Sequence, residues 1–182
     1  MKSWTPPDLG QLKVNYDVAV CNGTLVFAAL IRNSQGHILH AQAGKTVLGN
    51  NPIKGGARAA RLACDCALCF EGTPLIIEGD CLDLVTQIHD RDSLSDWEIA
   101  GEVDSIRGLL DIHSDWSFTW ARRDANAAAH SLARWCSRQQ NYGVRPQILP
   151  IDTMPLALAC WFKCNWLFAY KKEKEKEKRR IS

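Results

Sequence analysis

Residues 75–81, LIIEGDC, decide which fold this chain can adopt. Three apolar residues open the stretch, which is typical of a buried strand, and Glu-Gly-Asp closes it. Residues 53–70, just before it, are rich in alanine and leucine at helical spacing. A strand that follows a crossover helix joins its sheet in parallel. Asp80 is then either an acid at the carboxyl edge of a sheet, where ligands commonly bind, or a solvated loop end.

Three more strands precede that helix. Residues 12–20 alternate apolar and polar side chains, and residues 24–33 and 37–48 read as two further strands. Asn22 and Gly23 supply an Asn-Gly turn between the first two, which is a strong hairpin signal. The pattern therefore predicts an antiparallel meander at the start of the sheet.

The remaining elements complete a layered fold. Trp116, Phe118 and Trp120 alternate along a fifth strand, which predicts one buried face, with base stacking as the alternative. The predicted helices after residue 81 span residues 82–88, 97–112 and 125–140. We therefore predict an α/β fold, a five-stranded mixed sheet flanked by helices.

The length of 182 residues suits one domain with extensions. We expect an extended lead-in at residues 1–11, a folded domain at residues 12–140, and a C-terminal extension at residues 141–182. In that extension, residues 154–170 are mostly apolar but interrupted by Lys163, and we expect a loosely packed or free helix there. This run is shorter than the about 20 apolar residues of a membrane span, so a tail anchor is the weaker alternative.

The charge distribution limits the partners. The tail at residues 171–182 holds seven bases and three acids, which leaves 15 bases and 17 acids for the rest of the chain. The folded body thus has no general attraction for phosphates, and any nucleic-acid binding must be local.

The cysteines and the first residues indicate the compartment. The opening MKSWTPPDLG has no apolar signal segment, so the eight cysteines are expected to be free thiols. We expect an intracellular protein, nuclear or cytoplasmic and not secreted, that is monomeric and not bound to membranes.

Two acids are candidates for a metal site. Asp17 stands in the middle of the first strand, where aspartate is poorly suited. Asp80 ends the fourth strand, which we expect beside the first. Two carboxylates at one sheet edge form half of a divalent-metal site with oxygen ligands.

Four stretches together resemble a known family. They are WTPPDLGQLKVNYDVAV at residues 4–20, IRNSQGHIL at residues 31–39, IIEGD at residues 76–80 and WARRDANAAAHSLARW at residues 120–135. This set looks like a type 1 ribonuclease H domain, and more narrowly like the plant reverse-transcriptase-like ribonuclease H domains related to non-LTR retroelements. The resemblance covers about residues 4–140. It implies a Mg²⁺-dependent endonuclease that cuts the RNA strand of RNA–DNA hybrids.

The resemblance also implies roles for single residues. Asp17 and Asp80 match catalytic carboxylates that hold Mg²⁺, and His130 matches a position that assists water activation or product release. Asn126 matches the asparagine that fixes the start of the last helix. Arg122 and Arg123 are either phosphate contacts or solvated residues near the helix start. His130 has its own alternative as an ordinary surface histidine.

One position departs from the family. Its first helix carries a glutamate in A-E-A, and Arg58, within G-A-R-A-A-R, is interpreted as its replacement. This exchange changes the local charge by two units and predicts weakened Mg²⁺ binding and weakened or lost hydrolysis. Asp65 or Glu78 could replace the missing ligand. A non-catalytic nucleic-acid-binding module and a decayed retroelement fragment are the alternatives to an enzyme.

Overall fold

The computed structural model describes residues 4–47, 51–92, 94–139 and 147–149. The first helix runs on into a 3-10 turn at Leu68–Phe70. In chain order the elements of these residues are β1 (Leu12–Cys21), β2 (Thr24–Arg32), β3 (Ile38–Thr46), α1 (Pro52–Ala67), β4 (Leu75–Gly79), α2 (Leu82–His89), α3 (Ala100–Ile112), β5 (Trp116–Trp120), α4 (Ala127–Ser137) and β6 (Gln147–Ile148).

All the strands belong to one mixed sheet. Its order is β5-β4-β1-β2-β3-β6, with β1 at the centre. β1 pairs antiparallel with β2 and parallel with β4, and β5 adds in parallel at the edge. The predicted five-stranded mixed sheet flanked by helices is confirmed, and the two-residue β6 adds a short sixth strand to it.

The pairing of β1 with β4 brings the two candidate acids to one edge. Asn15 is the partner of Glu78 across this parallel pair. Asp17 lies two residues after Asn15 on β1, and Asp80 lies two residues after Glu78, directly past the end of β4. The two acids therefore stand at the same end of the paired strands. The predicted adjacency of these strands is therefore correct, because the crossover helix α1 makes β4 parallel to β1.

Helices cover both faces of the sheet. One buried cluster lies between the sheet and α1, α2 and α3, and it includes Val14 and Tyr16 of β1. A second, smaller cluster lies under α4 and includes Ala19 of β1. Alternate residues of β1 thus point to opposite layers, as the period of two requires. Asp17 falls on the α4 face.

Helix α1 begins where a capping residue meets a proline. The side chain of Asn51 accepts a hydrogen bond from the Ile53 N–H at 3.1 Å, and Pro52 opens the first turn. Proline suits this position because its missing N–H would have no helical partner there. This start orients α1 as it crosses the sheet.

The lead-in packs against the sheet. The Trp4 ring lies over the Arg32 guanidinium, with 3.6 Å between its centroid and Cζ. Lys13 Nζ donates to the Thr5 carbonyl at 2.9 Å and forms an ion pair with Glu78 at 2.7 Å. These contacts join the lead-in to β1, β2 and β4.

Part of the predicted C-terminal extension also joins the sheet. β6 pairs with β3, and Leu149 is buried in the cluster under α4. The predicted apolar helix at residues 154–170 lies outside the described residues. Among the residues that are described, no helix is long and apolar enough to cross a membrane.

Candidate active site

Asp17 is held by two hydrogen bonds at the centre of the sheet. Its side chain accepts the N–H of Val18 through Oδ1 at 2.8 Å. Oδ2 lies 2.7 Å from Nδ1 of His130, on α4. Only 8% of Asp17 is exposed. The partner that a mid-strand aspartate requires is therefore His130.

Asn126 places that histidine. Its side chain donates to the Tyr16 carbonyl at 2.8 Å and accepts from the Asn15 amide at 3.3 Å. The expected role of Asn126 was to fix the start of the last helix, yet its side chain makes no capping hydrogen bond to α4. It instead bonds α4 to β1, and His130 follows one helical turn later, opposite Asp17.

The pKa of Asp17 is set by its burial and by the charged and hydrogen-bonding groups around it. Burial raises the pKa of its carboxyl, and the charge of Asp80 raises it further. The hydrogen bonds from Val18 and His130 oppose this rise in pKa. Two acids are thus held near each other with a histidine as the nearby compensating group.

The glycine before Asp80 makes room for an aromatic ring. A Cβ at Gly79 would lie 2.2 Å from Cζ of Tyr16, far inside contact distance. The strand therefore ends in glycine and aspartate for two reasons: glycine admits the Tyr16 ring, and the chain can then turn Asp80 to the sheet edge. The indole Nε1 of Trp120 donates to the Asp80 carbonyl at 3.2 Å and ties β5 to this end of β4.

One open cavity of about 800 Å³ collects these groups. Asp17, Asp80, His130 and Arg123 line it, so the structure brings these four sequence candidates together, whereas Arg122 does not line it. Three further residues of the same cavity were not predicted from the sequence. They are Gly56, Asp83 and Arg134.

The assignment of Arg58 to the site is wrong. Arg58 does not line the cavity, and its guanidinium faces Glu102 of α3 at 3.7 Å. Residues two apart on a helix point about 200° away from each other. Gly56 faces the cavity, so Arg58 faces α3. A signal was present in the sequence, because Gly56 stands between the small residues Gly55 and Ala57, as the glutamate of A-E-A stands between alanines.

The residues of the cavity do not fit a pair of divalent ions. The described part of the chain contains no group of three His, Cys, Asp or Glu side chains able to hold a metal. The two suggested replacement ligands lie elsewhere: Glu78 is paired with Lys13, and Asp65 with Arg61. Asp83 lines the cavity but forms no metal-holding group with Asp17 and Asp80 among the described residues. Asp17 and Asp80 by themselves leave most of the ligand positions of a Mg²⁺ ion without protein donors.

A family model described as reverse transcriptase-like matches residues 15–136. The chain belongs to this family. The matched range of this reverse transcriptase-like domain extends from β1 to the end of α4, so it contains Asp17, Asp80 and His130. No protein with a curated description matches the chain.

Solved structures place the domain in the ribonuclease H-like fold. RNase H1 from the archaeon Halobacterium salinarum is 20% identical, with a TM-score of 0.61 over 69% of this chain and 96% of that one. LC11-RNase H1, isolated from compost, was solved in complex with RNA/DNA hybrid; it is 13% identical, with a TM-score of 0.59 over 67% and 93%. A foamy viral protease-reverse transcriptase with RNA/DNA hybrid is 12% identical, with a TM-score of 0.53 over 73% and 21%.

The aromatic side chains of β5 divide between core and surface. Trp116 and Phe118 are buried, as the alternation predicts. Trp120 is 45% exposed, so its predicted burial is wrong. The strand ends at this residue. Its indole thus stands beside the end of β4 that carries Asp80.

Proposed function

We propose that this domain binds nucleic acid of the RNA–DNA hybrid type at the cavity around Asp17, and that hydrolysis there is weak or lost. Two structures of similar fold hold an RNA/DNA hybrid, which supports this class of ligand. The observation that carries the proposal is the pairing of cationic side chains with an incomplete set of metal ligands in one cavity.

Arg123 and Arg134 supply the cations. Both line the cavity, and within the described part of the chain neither forms an ion pair. Arg134 lies one helical turn after His130 on α4, so the two side chains share a face. Arginine binds phosphate through charge-assisted hydrogen bonds, which position a nucleic acid without reading its sequence.

The small number of carboxylate ligands in the cavity disfavours efficient hydrolysis. Two-metal cleavage of phosphodiesters needs several oxygen ligands to hold two divalent ions about 4 Å apart. Asp17 and Asp80 supply two carboxylates, and His130 already occupies one oxygen of Asp17. The helix wall that could supply another ligand carries Gly56.

Binding of a labelled RNA–DNA hybrid tests the proposal, with duplex DNA and duplex RNA as comparison ligands. The double variant R123A/R134A should bind the hybrid at least about 10-fold more weakly. Each lost phosphate contact should also lower the salt slope of log K by about 1. The control R61A/R91A removes the same charge at two arginines outside the cavity, each ion-paired on the surface, and should change affinity little.

Cleavage of the same hybrid separates the candidate functions. Wild-type protein should cleave it slowly or not at all in Mg²⁺ and in Mn²⁺. Fast Mg²⁺-dependent cleavage would contradict the loss of hydrolysis and favour an active enzyme. Absence of binding to all three ligands would contradict the whole proposal and favour a folded fragment without activity.

A further inference from the structure

The wall of the cavity opposite α4 is formed by the first turns of α1. Gly56 of this helix lines the cavity together with Asp17 and Asp80. A Cβ added at Gly56 would meet no atom within 4 Å, apart from the backbone of its own helix and its chain neighbours. A side chain at position 56 would therefore enter open space between the helix and the two acids.

The adjacent glycine behaves differently. A Cβ at Gly55 would lie 2.6 Å from Cγ2 of Val18 and 3.3 Å from Cδ2 of Leu25. Gly55 is thus required for the close approach of α1 to the sheet. Gly56 is not, and neither glycine has the positive φ that only glycine tolerates readily.

Gly56 is therefore a glycine that the fold does not need. Glycine in a helix interior costs about 1 kcal/mol relative to alanine. It brings no compensating contact here, because the space beside it is open. The remaining consequence is chemical: at Gly56 the wall formed by α1 offers no side-chain ligand atom.

We propose that Gly56 is what leaves this cavity without a divalent-cation site, and that one carboxylate at position 56 completes such a site. Asp17 and Asp80 already stand on neighbouring strands at one edge, facing this wall. A third carboxylate raises the number of oxygen donors and the negative charge to values at which hard cations such as Mg²⁺ and Mn²⁺ bind.

No other acid of the cavity supplies that ligand. Asp83 lines the cavity from the first turn of α2, yet it forms no metal-holding group with Asp17 and Asp80 among the described residues. The missing ligand is thus assigned to α1, at a position two residues before the arginine suggested by sequence.

The test is Mn²⁺ and Mg²⁺ binding, measured by calorimetry on the full chain without nucleic acid. G56E should bind Mn²⁺ at least about 10-fold more tightly than wild type, which corresponds to about 1.4 kcal/mol. G56Q adds the same length without the charge and should gain much less. R58E should gain nothing, because Arg58 faces Glu102 on the far side of α1.

Further variants keep the result decisive. G56E/D80N should lose the gain, since it removes one of the three carboxylates, whereas G56E/D83N should keep it. Thermal unfolding with and without Mn²⁺ gives a second readout, and only G56E should be stabilised by the ion. G56D supplies a shorter acid if G56E does not fold.

Three results would overturn the inference: folded G56E and G56D that bind no better than G56Q, a gain in R58E, or tight Mn²⁺ binding by wild type. The measurement contains no nucleic acid. Its failure therefore leaves the proposed hybrid binding standing, and a failure of hybrid binding leaves this inference standing.

Discussion

At the scale of single residues, the surroundings of Asp17 act on its pKa in opposite directions. Burial and the neighbouring Asp80 favour its neutral form, whereas the Val18 N–H and His130 favour its charged form. The first two dominate, so the pKa of Asp17 is raised above its usual 3.8. Such an acid stabilises the fold below its usual pKa, and this contribution is lost as the pH rises through the raised pKa. Ionisation of Asp17 thus opposes folding.

The variant D17N should raise the melting temperature at pH 7, because it removes a buried charge and keeps a hydrogen-bonding group for His130. The gain should shrink as the pH falls towards 3.8, where the wild-type carboxyl is also neutral. Thermal unfolding followed by circular dichroism from pH 3 to pH 8 measures it.

Asp111 provides a control of opposite sign. Its pKa is lowered, first by the hydrogen bond from Arg91, so D111N should lower the melting temperature near neutral pH, if only slightly at this exposed site. A D17N protein that melts lower than wild type at pH 7 would show that the hydrogen bond to His130 outweighs burial.

At the scale of elements, the contact between β1 and β4 determines where the acids stand. The Tyr16 ring crosses over Gly79 and lies 5.7 Å, centroid to centroid, from Phe118 of β5. With any other residue at position 79, β1 and β4 could not stay paired at their present spacing while the Tyr16 ring remains in place. The end of β4, and with it Asp80, is therefore positioned by the packing of an aromatic side chain.

G79A should lower the free energy of unfolding by about 1–3 kcal/mol, because the new methyl group overlaps the Tyr16 ring. The loss should be much smaller in a Y16A background, where the ring is absent, and a double-mutant cycle in urea measures the difference. G72A is unsuitable as a reference because Gly72 has φ of 76°; G108A, on α3 with open space around it, is the matched control. Equal effects of G79A in both backgrounds would contradict the role given to Tyr16.

At the scale of the whole molecule, the domain has a core on each face of its sheet, and the smaller core extends beyond α4. Leu149 is 2% exposed in that core, and its N–H donates to the Ala41 carbonyl at 2.9 Å. The sequence boundary at residue 140 lies before this contact. Stability should thus depend on a few residues of the extension and little on the rest.

Two truncations test this dependence. A chain ending at residue 149 should unfold close to the temperature of the full chain. A chain ending at residue 146 should lose about 2 kcal/mol or more, the usual loss for a buried leucine. L149A in the full chain should reproduce most of that loss. If the chain ending at 149 fails to fold, residues 150–182 contribute to the core.

The fold could be predicted from the sequence pattern, and so could the meeting of three candidate residues in one cavity. Periods of two and 3.6 residues separate strands from helices, and the crossover helix before LIIEGD makes the sheet mixed. The motifs of β4 and α4 indicated the family, and Asp17, Asp80 and His130 line one cavity. These features depend on local pattern, which a sequence displays directly.

The tertiary structure alone decided which side of α1 meets the acids. A helix turns about 100° per residue, so an alignment shifted by two residues exchanges Gly56 for Arg58 and reverses the predicted charge of the wall. The packing of Gly55 against Val18 determines the rotation of α1 about its axis, and this contact joins residues 37 apart in the chain. The exposure of Trp120 and the need for glycine at position 79 could not be predicted for the same reason. The surroundings of both residues come from strands and helices that are distant in sequence.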